Sequence, residues 1–309
     1  MCLCAKRRFL WTKKMIQYFP YPSQVKPVFS ILVPSWNNLP YLQTLVASIR
    51  KNSRYAHQIV VHVNQSNDGT LEWVRAEGLS HTYSTENAGV CYGFNAPSAL
   101  ATADYLVLID DDMYVCPDWD YFLMQEIDKQ ADIYWCISGT MIEPTDRGNP
   151  ASLTPYDYGT HPEAFEEARF LAEYEQIPFA DWSGSSWYPL VLHRYVWNAV
   201  GGLSVELTPG MYSDPDFMLK LYHAGVRTFY GIERSRVYHF QSRSTGRVVK
   251  NNGRRQFLLK WEMASSTLFK HILKMGEPFG AVIPKTLAEV RAANTKDKWK
   301  LRLELFKKG

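Results

Sequence analysis

Three consecutive carboxylates, Asp110, Asp111 and Asp112, stand directly after the apolar run Tyr105, Leu106, Val107, Leu108, Ile109. Two carboxylates about 4 Å apart repel by roughly 4 kcal/mol at an effective dielectric near 20, so such a cluster asks for a cation. Hard divalent ions with oxygen ligands, Mg²⁺ or Mn²⁺ shared with a diphosphate, suit the alternate pair Asp110 and Asp112. A solvated acidic turn ahead of a helix starting near Pro117 is the competing reading. The element that positions the cluster is the apolar run, which reads as a strand buried on both faces. In open α/β sheets, ligands bind at the carboxyl ends of such strands.

The remaining elements surround that strand. Residues 28–33 form a first strand, stopped by Pro34, and Ser35, Trp36, Asn37 and Asn38 make the loop after it. Pro40 suits the first turn of a helix whose apolar positions are Leu42, Leu45, Val46 and Ile49. A second strand over 58–63 leads to a turn-rich segment, 64–70, in which Asp68 can cap a short helix. A third strand over 80–84 precedes a helical stretch over 95–103. Strand and helix alternating at this spacing predict βαβ units and a parallel sheet.

Beyond Pro117 the pattern predicts a helix through Leu123 and Ile127, a strand over 133–138, a loop over 143–159, a helix over 161–176 and a strand over 186–192. A short helix then ends at Gly201 and Gly202. Asp214, Pro215 and Asp216 open a helix closed by Gly225, and 254–274 reads as one long amphipathic helix. On local sequence Asp214 sits where an N-cap would, and Asp216 answers the helix dipole. His239, at a strand end, reads by itself as a structural histidine.

The chain has 309 residues, 46% of them hydrophobic, and a net charge of +3. That composition suits a globular protein with a large core. Its apolar runs fall short of the ~20 residues of a spanning helix, and the first residues carry no long apolar signal core, which points to a cytosolic location. The five cysteines are scattered without paired spacing, so neither a disulfide framework nor a zinc site is suggested. No acidic residue precedes Asp68, while Lys6, Arg7, Arg8, Lys13 and Lys14 crowd the start, and 285–308 holds eight Lys/Arg against three acids. Trp11, Tyr18, Trp299, Leu303 and Phe306 are interleaved with that charge. Peripheral contact with anionic lipid and plain solvated tails both fit; no nucleic-acid recognition motif accompanies the charge.

Taken together, Phe29 to Asn37, Asn64 to Thr70, Asn87 through Gly93 to Asn95, Asp110 to Asp112 with Pro117 and Asp118, Gly201 to Leu203, and Ser213 to Asp216 resemble the family 2 glycosyltransferases with a GT-A fold. The resemblance covers roughly residues 28–247. It implies an α/β, mostly parallel central sheet flanked by helices, with a Rossmann-like nucleotide-binding half and an acceptor half. It implies a nucleotide-sugar donor in contact with Pro34, Ser35, Trp36, Asn37, Asn64, Asn87, Asn95, Asp110 and Asp111. It further implies a divalent metal, Mn²⁺ or Mg²⁺, at Asp110, Asp112 and His239, and Asp214 as catalytic base. Arg243 and Arg247 clamp the diphosphate or remain solvated loop charges. Trp182, Trp187 and Tyr188 fall where relatives bind the acceptor, although tryptophans at this spacing also suit a core.

Two departures bear on specificity. Where many relatives end the second strand on an acid, this chain has Val63 and Asn64, which leaves the donor base open. The QxxRW motif of processive synthases is absent around Gln256 to Trp261. The expectation is a basic extension over 1–27, a GT-A catalytic domain over 28–247 and a basic helical extension over 248–309. The enzyme is expected to transfer a single sugar, with inversion, to a glycan or lipid-linked acceptor. A nucleotide-sugar-binding scaffold without turnover is the alternative.

Overall fold

The computed structural model describes residues 16–22, 26–242 and 244–306. The basic run before Met15, Trp11, Arg243, Lys307 and Lys308 lie outside the described residues. One eleven-stranded sheet runs through the fold. Its first half follows the chain as β1 (Gln17–Phe19), β2 (Phe29–Ser35), α1 (Leu39–Asn52), β3 (Gln58–Asn64), α2 (Thr70–Ala76), β4 (Ser80–Ser84), α3 (Val90–Ser98) and β5 (Tyr105–Leu108). The second half comprises β6 (Met113–Val115), α4 (Trp119–Ile127), β7 (Trp135–Ile142), β8 (Ser152–Leu153), α5 (Glu167–Glu173), β9 (Trp182–Ser183), β10 (Leu190–His193), α6 (Arg194–Val200), α7 (Ser213–His223) and β11 (Thr228–His239). After it come α8 (Gly253–Trp261), α9 (Ser265–Thr267) and α10 (Arg291–Phe306). Among the described residues no helix is long and apolar enough to cross a membrane.

Strands β4, β3, β2 and β5 pair in parallel. The chain leaves β2 toward β3 and β4 on one side, then returns through α3 to β5 on the other, so the β2/β5 boundary is the topological switch point where a crevice opens. Pro34 sits inside β2 rather than stopping it. Leu32 O still accepts from Ile109 N at 3.2 Å. Pro34, two residues on, faces the same side after β5 has ended, so its missing N–H forfeits no ladder bond. Gly93 of α3 lets that helix lie on the same strand, since a Cβ there would fall 2.7 Å from Pro34 Cβ.

The second half is mixed rather than parallel. Strand β10 enters between β5 and β7, antiparallel to both, β11 runs parallel to β7, and β6 closes the edge antiparallel to β11. Helices cover both faces. Ile31, Val33, Val61 and Val107 pack with α1, α2 and Trp119, while Leu32, Val60, Leu106 and Leu108 pack with Phe94, Phe217 and Phe257 on the opposite face. A third, aromatic cluster of Tyr114, Phe170, Tyr174, Tyr238 and Phe240 lies under β6 and β11.

Several expected elements differ. The helix after β4 begins at Val90, not near 95, and strand β7 runs to Ile142 because burial on both sides carries it past 138. The stretch 143–159 holds β8, paired to β7. The acidic helix over 161–176 is short turns around α5, β9 follows it, and the strand expected over 186–192 is the shorter β10. The long helix over 254–274 breaks at Glu262, whose φ of 51° is left-handed. From the residues after 247, Phe257, Met263, Leu268 and Ile272 join the second core.

Candidate active site

The carboxyl ends of β2, β3 and β5 and the start of α7 surround a cavity of about 310 Å³. All three carboxylates after β5 line it. Asp112 is held by Ser242 N, which donates to Oδ2 at 2.7 Å, and faces His239 Nε2 at 3.4 Å. Pairing of β6 with β11 causes that approach, because it sets His239 opposite Met113 and lets Phe240 N donate to Asp112 O. The other imidazole nitrogen, Nδ1, lies 2.7 Å from Glu143 Oε1. Burial opposes charge on this histidine, but Asp112 and Glu143 on either side outweigh it and push its pKa up to about 10. Burial likewise works to raise Asp112, yet the His239 charge and the Ser242 hydrogen bonds hold its carboxyl below the usual range.

The neighbours behave differently. Burial, then the Asp112 charge, push Asp110 well above the ordinary carboxylate range and Asp111 up to about 7. Asp111 Oδ1 accepts from Asn38 Nδ2 at 2.9 Å, whereas its Oδ2 is buried without a partner. Among the described residues no three acidic, histidine or cysteine side chains stand in ready-made metal-ligating geometry. The donor set nevertheless fits a divalent ion. Asp110, Asp112 and His239 line one cavity, an orphaned Asp111 oxygen lies beside them, and these oxygen and nitrogen donors could hold Mn²⁺ or Mg²⁺ once His239 gives up its proton.

Asp214 reaches the cavity from the first turn of α7. The helix cap is Tyr212, in a left-handed conformation, so Asp214 is not the N-cap that local sequence suggests. Pro215 follows at a position where a missing N–H is harmless. Tyr188 Oη donates to Asp214 Oδ1 at 3.1 Å. Burial raises Asp214 to about 6, with the Tyr188 hydrogen bond pulling the other way. Asp216 is fully buried on the same helix, facing away from solvent: Ser204 Oγ donates to Oδ2 at 2.5 Å, Trp261 Nε1 to Oδ1 at 2.7 Å, and Lys260 Nζ lies 2.8 Å from Oδ1. The acid expected merely to answer the helix dipole instead bolts α7 to α8.

On the other side, Pro34, Ser35, Trp36, Asn64 and Asn87 line the cavity. Ser35 Oγ, Trp36 Nε1 and Ser242 Oγ, all on cavity-lining residues, are buried without hydrogen-bond partners. Asn64, standing where an acid is usual, is engaged internally: Nδ2 donates to Asn87 Oδ1 at 2.8 Å and Oδ1 accepts from Ala88 N at 2.6 Å. Arg247 stacks over Trp36, 4.5 Å from the ring centre, and donates to the Trp36 carbonyl at 2.9 Å. Its contacts fix the loop that carries Trp36, and Arg247 itself is not in the lining.

Two expected donor residues are not in the lining. Asn37 turns to Asn67 N at 2.7 Å. Asn95 is a clamp, with its amide donating to Leu203 O at 2.7 Å and accepting from Leu203 N at 2.8 Å. Of the three aromatics, Tyr188 alone lines the cavity. Trp182 is core, its ring lying on Gly231, where a Cβ would fall 1.9 Å away, and Trp187 stacks on Phe269. Sequence reasoning missed Glu143, Arg147 and Gln241. No local pattern marks them, since each reaches the site from a loop whose path is set by the second half of the sheet.

Residues 30–186 match the family model described as Glycosyl transferase family 2. The chain is 25% identical over 248 residues, 73% of its length, to the uncharacterized protein y4gI of Sinorhizobium fredii. It is 28% identical over 117 residues, 35% of its length, to the abequosyltransferase RfbV of Salmonella typhimurium. It spans 26% and 35% of those two relatives. Among solved structures, GalNAc-T7 with UDP, GalNAc and Mn²⁺ shares the fold at a TM-score of 0.55 and 14% identity, over 88% of this chain and 55% of that one. With the model match spanning half of the sequence and the carboxylates after β5 inside it, the chain belongs to glycosyl transferase family 2.

Proposed function

We propose that this protein is a metal-dependent, inverting glycosyltransferase that moves one sugar from a nucleotide-sugar donor to a hydroxyl of a glycan or lipid-linked acceptor. The observation that carries the reading is the meeting, in one cavity, of Asp110, Asp111, Asp112 and His239 with Asp214, whose carboxyl is raised to about 6. Membership of the family and the UDP and Mn²⁺ bound by GalNAc-T7 support it.

In this mechanism Ser35, Trp36 and Asp111 take the donor, each offering a buried polar atom without a partner. A divalent ion held by Asp112 and His239, with Asp110 beside them, would neutralise charge on the departing diphosphate as a Lewis acid. Tyr188 holds one oxygen of Asp214, leaving the other for the acceptor. Asp214 accepts the acceptor's proton as its oxygen bonds to the anomeric carbon and the carbon–phosphate oxygen bond breaks, releasing nucleoside diphosphate. A carboxylate near 6 is mostly ionised at neutral pH and basic enough to take that proton.

The test is a panel of nucleotide sugars with Mn²⁺ or Mg²⁺, read by nucleoside diphosphate release. Turnover with one donor, lost in Asp112→Ala, is expected. Saturable donor binding without turnover across a broad acceptor panel would leave the binding-only scaffold in its place.

A further inference from the structure

Helix α10 is built inside out for a helix facing water. Its two acidic residues both turn inward. Asp297 is buried, accepting from Ala264 N at 3.0 Å and from Thr267 Oγ1, with Lys300 Nζ at 2.8 Å, and Glu304 pairs with Arg255 at 3.9 Å. Three of its large apolar residues turn outward, with Trp299 62%, Leu303 63% and Leu305 64% exposed, while Leu301 is half-buried. At 3.6 residues per turn, Lys296, Trp299, Arg302 and Leu303 fall on one stripe, opposite Asp297. Lys298 and Leu305 flank it. Arg302 leans on the Trp299 ring at 5.4 Å, so charge and aromatic surface are presented together.

A solvated amphipathic helix would place Trp299 and Leu303 inside and the acids outside. The reverse arrangement leaves an apolar strip bordered by cations, with both acids of the helix on the other side. We propose that this face of α10 docks on an anionic lipid surface. Trp299 and Leu303 enter the headgroup boundary while Lys296, Lys298 and Arg302 meet phosphates, the arrangement of an interfacial helix. A second copy of the chain is a poor occupant, because pairing two such faces would oppose like charges. Docking needs no donor and is independent of the catalytic reading.

The test is flotation of the full chain with vesicles of phosphatidylcholine alone and with phosphatidylglycerol added. Binding is expected to the anionic vesicles only, weakened by salt. A blue shift of tryptophan emission on binding should vanish in Trp299→Phe. Trp299→Ser combined with Leu303→Ser should lower partitioning at least about tenfold, and Lys298→Gln about fivefold. All three positions are exposed, and an unchanged unfolding midpoint confirms the fold; should the double variant unfold, Lys298→Gln and Trp299→Phe still decide. Unchanged binding in these variants, or no binding to anionic vesicles, overturns the proposal. So does sedimentation showing a dimer that the double variant dissolves while vesicles remain unbound.

Discussion

Tyr188 and Asp214 meet across 26 positions of sequence, the phenol of one donating to a carboxylate oxygen of the other at 3.1 Å. Tyr188 is itself held in place by Phe94 of α3, with ring centres 5.0 Å apart. The proposed base is therefore held from outside its own helix as well as by the backbone of its first turn.

Burial, opposed by that bond, sets the acid limb of the pH profile. Burial raises Asp214 to about 6 and the Tyr188 bond lowers it. Below that value the carboxyl is protonated and cannot accept, so turnover should rise with pH through about 6. Tyr188→Phe removes the lowering contribution and should move the limb upward by about one pH unit. Asp214→Asn should reduce kcat by about a thousandfold with donor affinity kept. Steady-state rates across pH, with donor binding by calorimetry, check both.

Glu143 sits behind His239 and fixes the ring through Nδ1. Such outer carboxylates raise the basicity of a ligating imidazole, and their loss typically weakens metal binding by about 10–100-fold. Glu143→Gln should raise the Mn²⁺ concentration needed for half-maximal donor binding by about that factor. A chelator should abolish turnover in the unaltered enzyme, and added Mn²⁺ should restore it.

Asp216 ties α7 to α8 through Lys260 and Trp261. Asp216→Ala would leave Ser204, Trp261 and part of Lys260 without their acceptor, at a cost of about 3 kcal/mol. In Asp216→Ala, Lys260 keeps Glu206 at 2.7 Å, whereas Lys260→Met strands the buried Asp216 carboxylate without its cation and should cost at least as much. Denaturant midpoints measure this. Because Asp214 lies on the same turn, Asp216→Asn should lower kcat more than it changes the KM for the donor.

His62 gives the fold an acid weakness. Buried on β3 against Thr82, with Nδ1 2.7 Å from Oγ1, it is lowered from 6.5 to about 4 by that burial. Between those values the unfolded chain binds the proton and the folded one does not. Stability therefore falls as pH drops from 6.5, losing about 3 kcal/mol by pH 4 and below. Urea unfolding at pH 7 and pH 4 should show it, and His62→Gln should flatten the difference.

How much was legible in the sequence follows the range of the forces involved. The order of βαβ units, the buried run ending in Asp110 to Asp112 and the helix opening at Asp214 to Asp216 are encoded in periodicity and turn chemistry, which act over a few residues. Strand and helix limits were less legible wherever tertiary burial extended or broke an element, as with β7 past 138 and the break at Glu262.

The sequence by itself determined that carboxylates would stand at the end of a buried strand, because five apolar residues next to three acids leave few other arrangements. Only the tertiary structure decided which distant groups face them. Antiparallel pairing of β6 with β11 set His239 beside Asp112, packing of Phe94 of α3 placed Tyr188 by Asp214, and contacts with Leu203 and Gly231 turned Asn95 and Trp182 away from the cavity. Those choices depend on strand register and helix packing between segments far apart in the chain, where no local pattern carries the information.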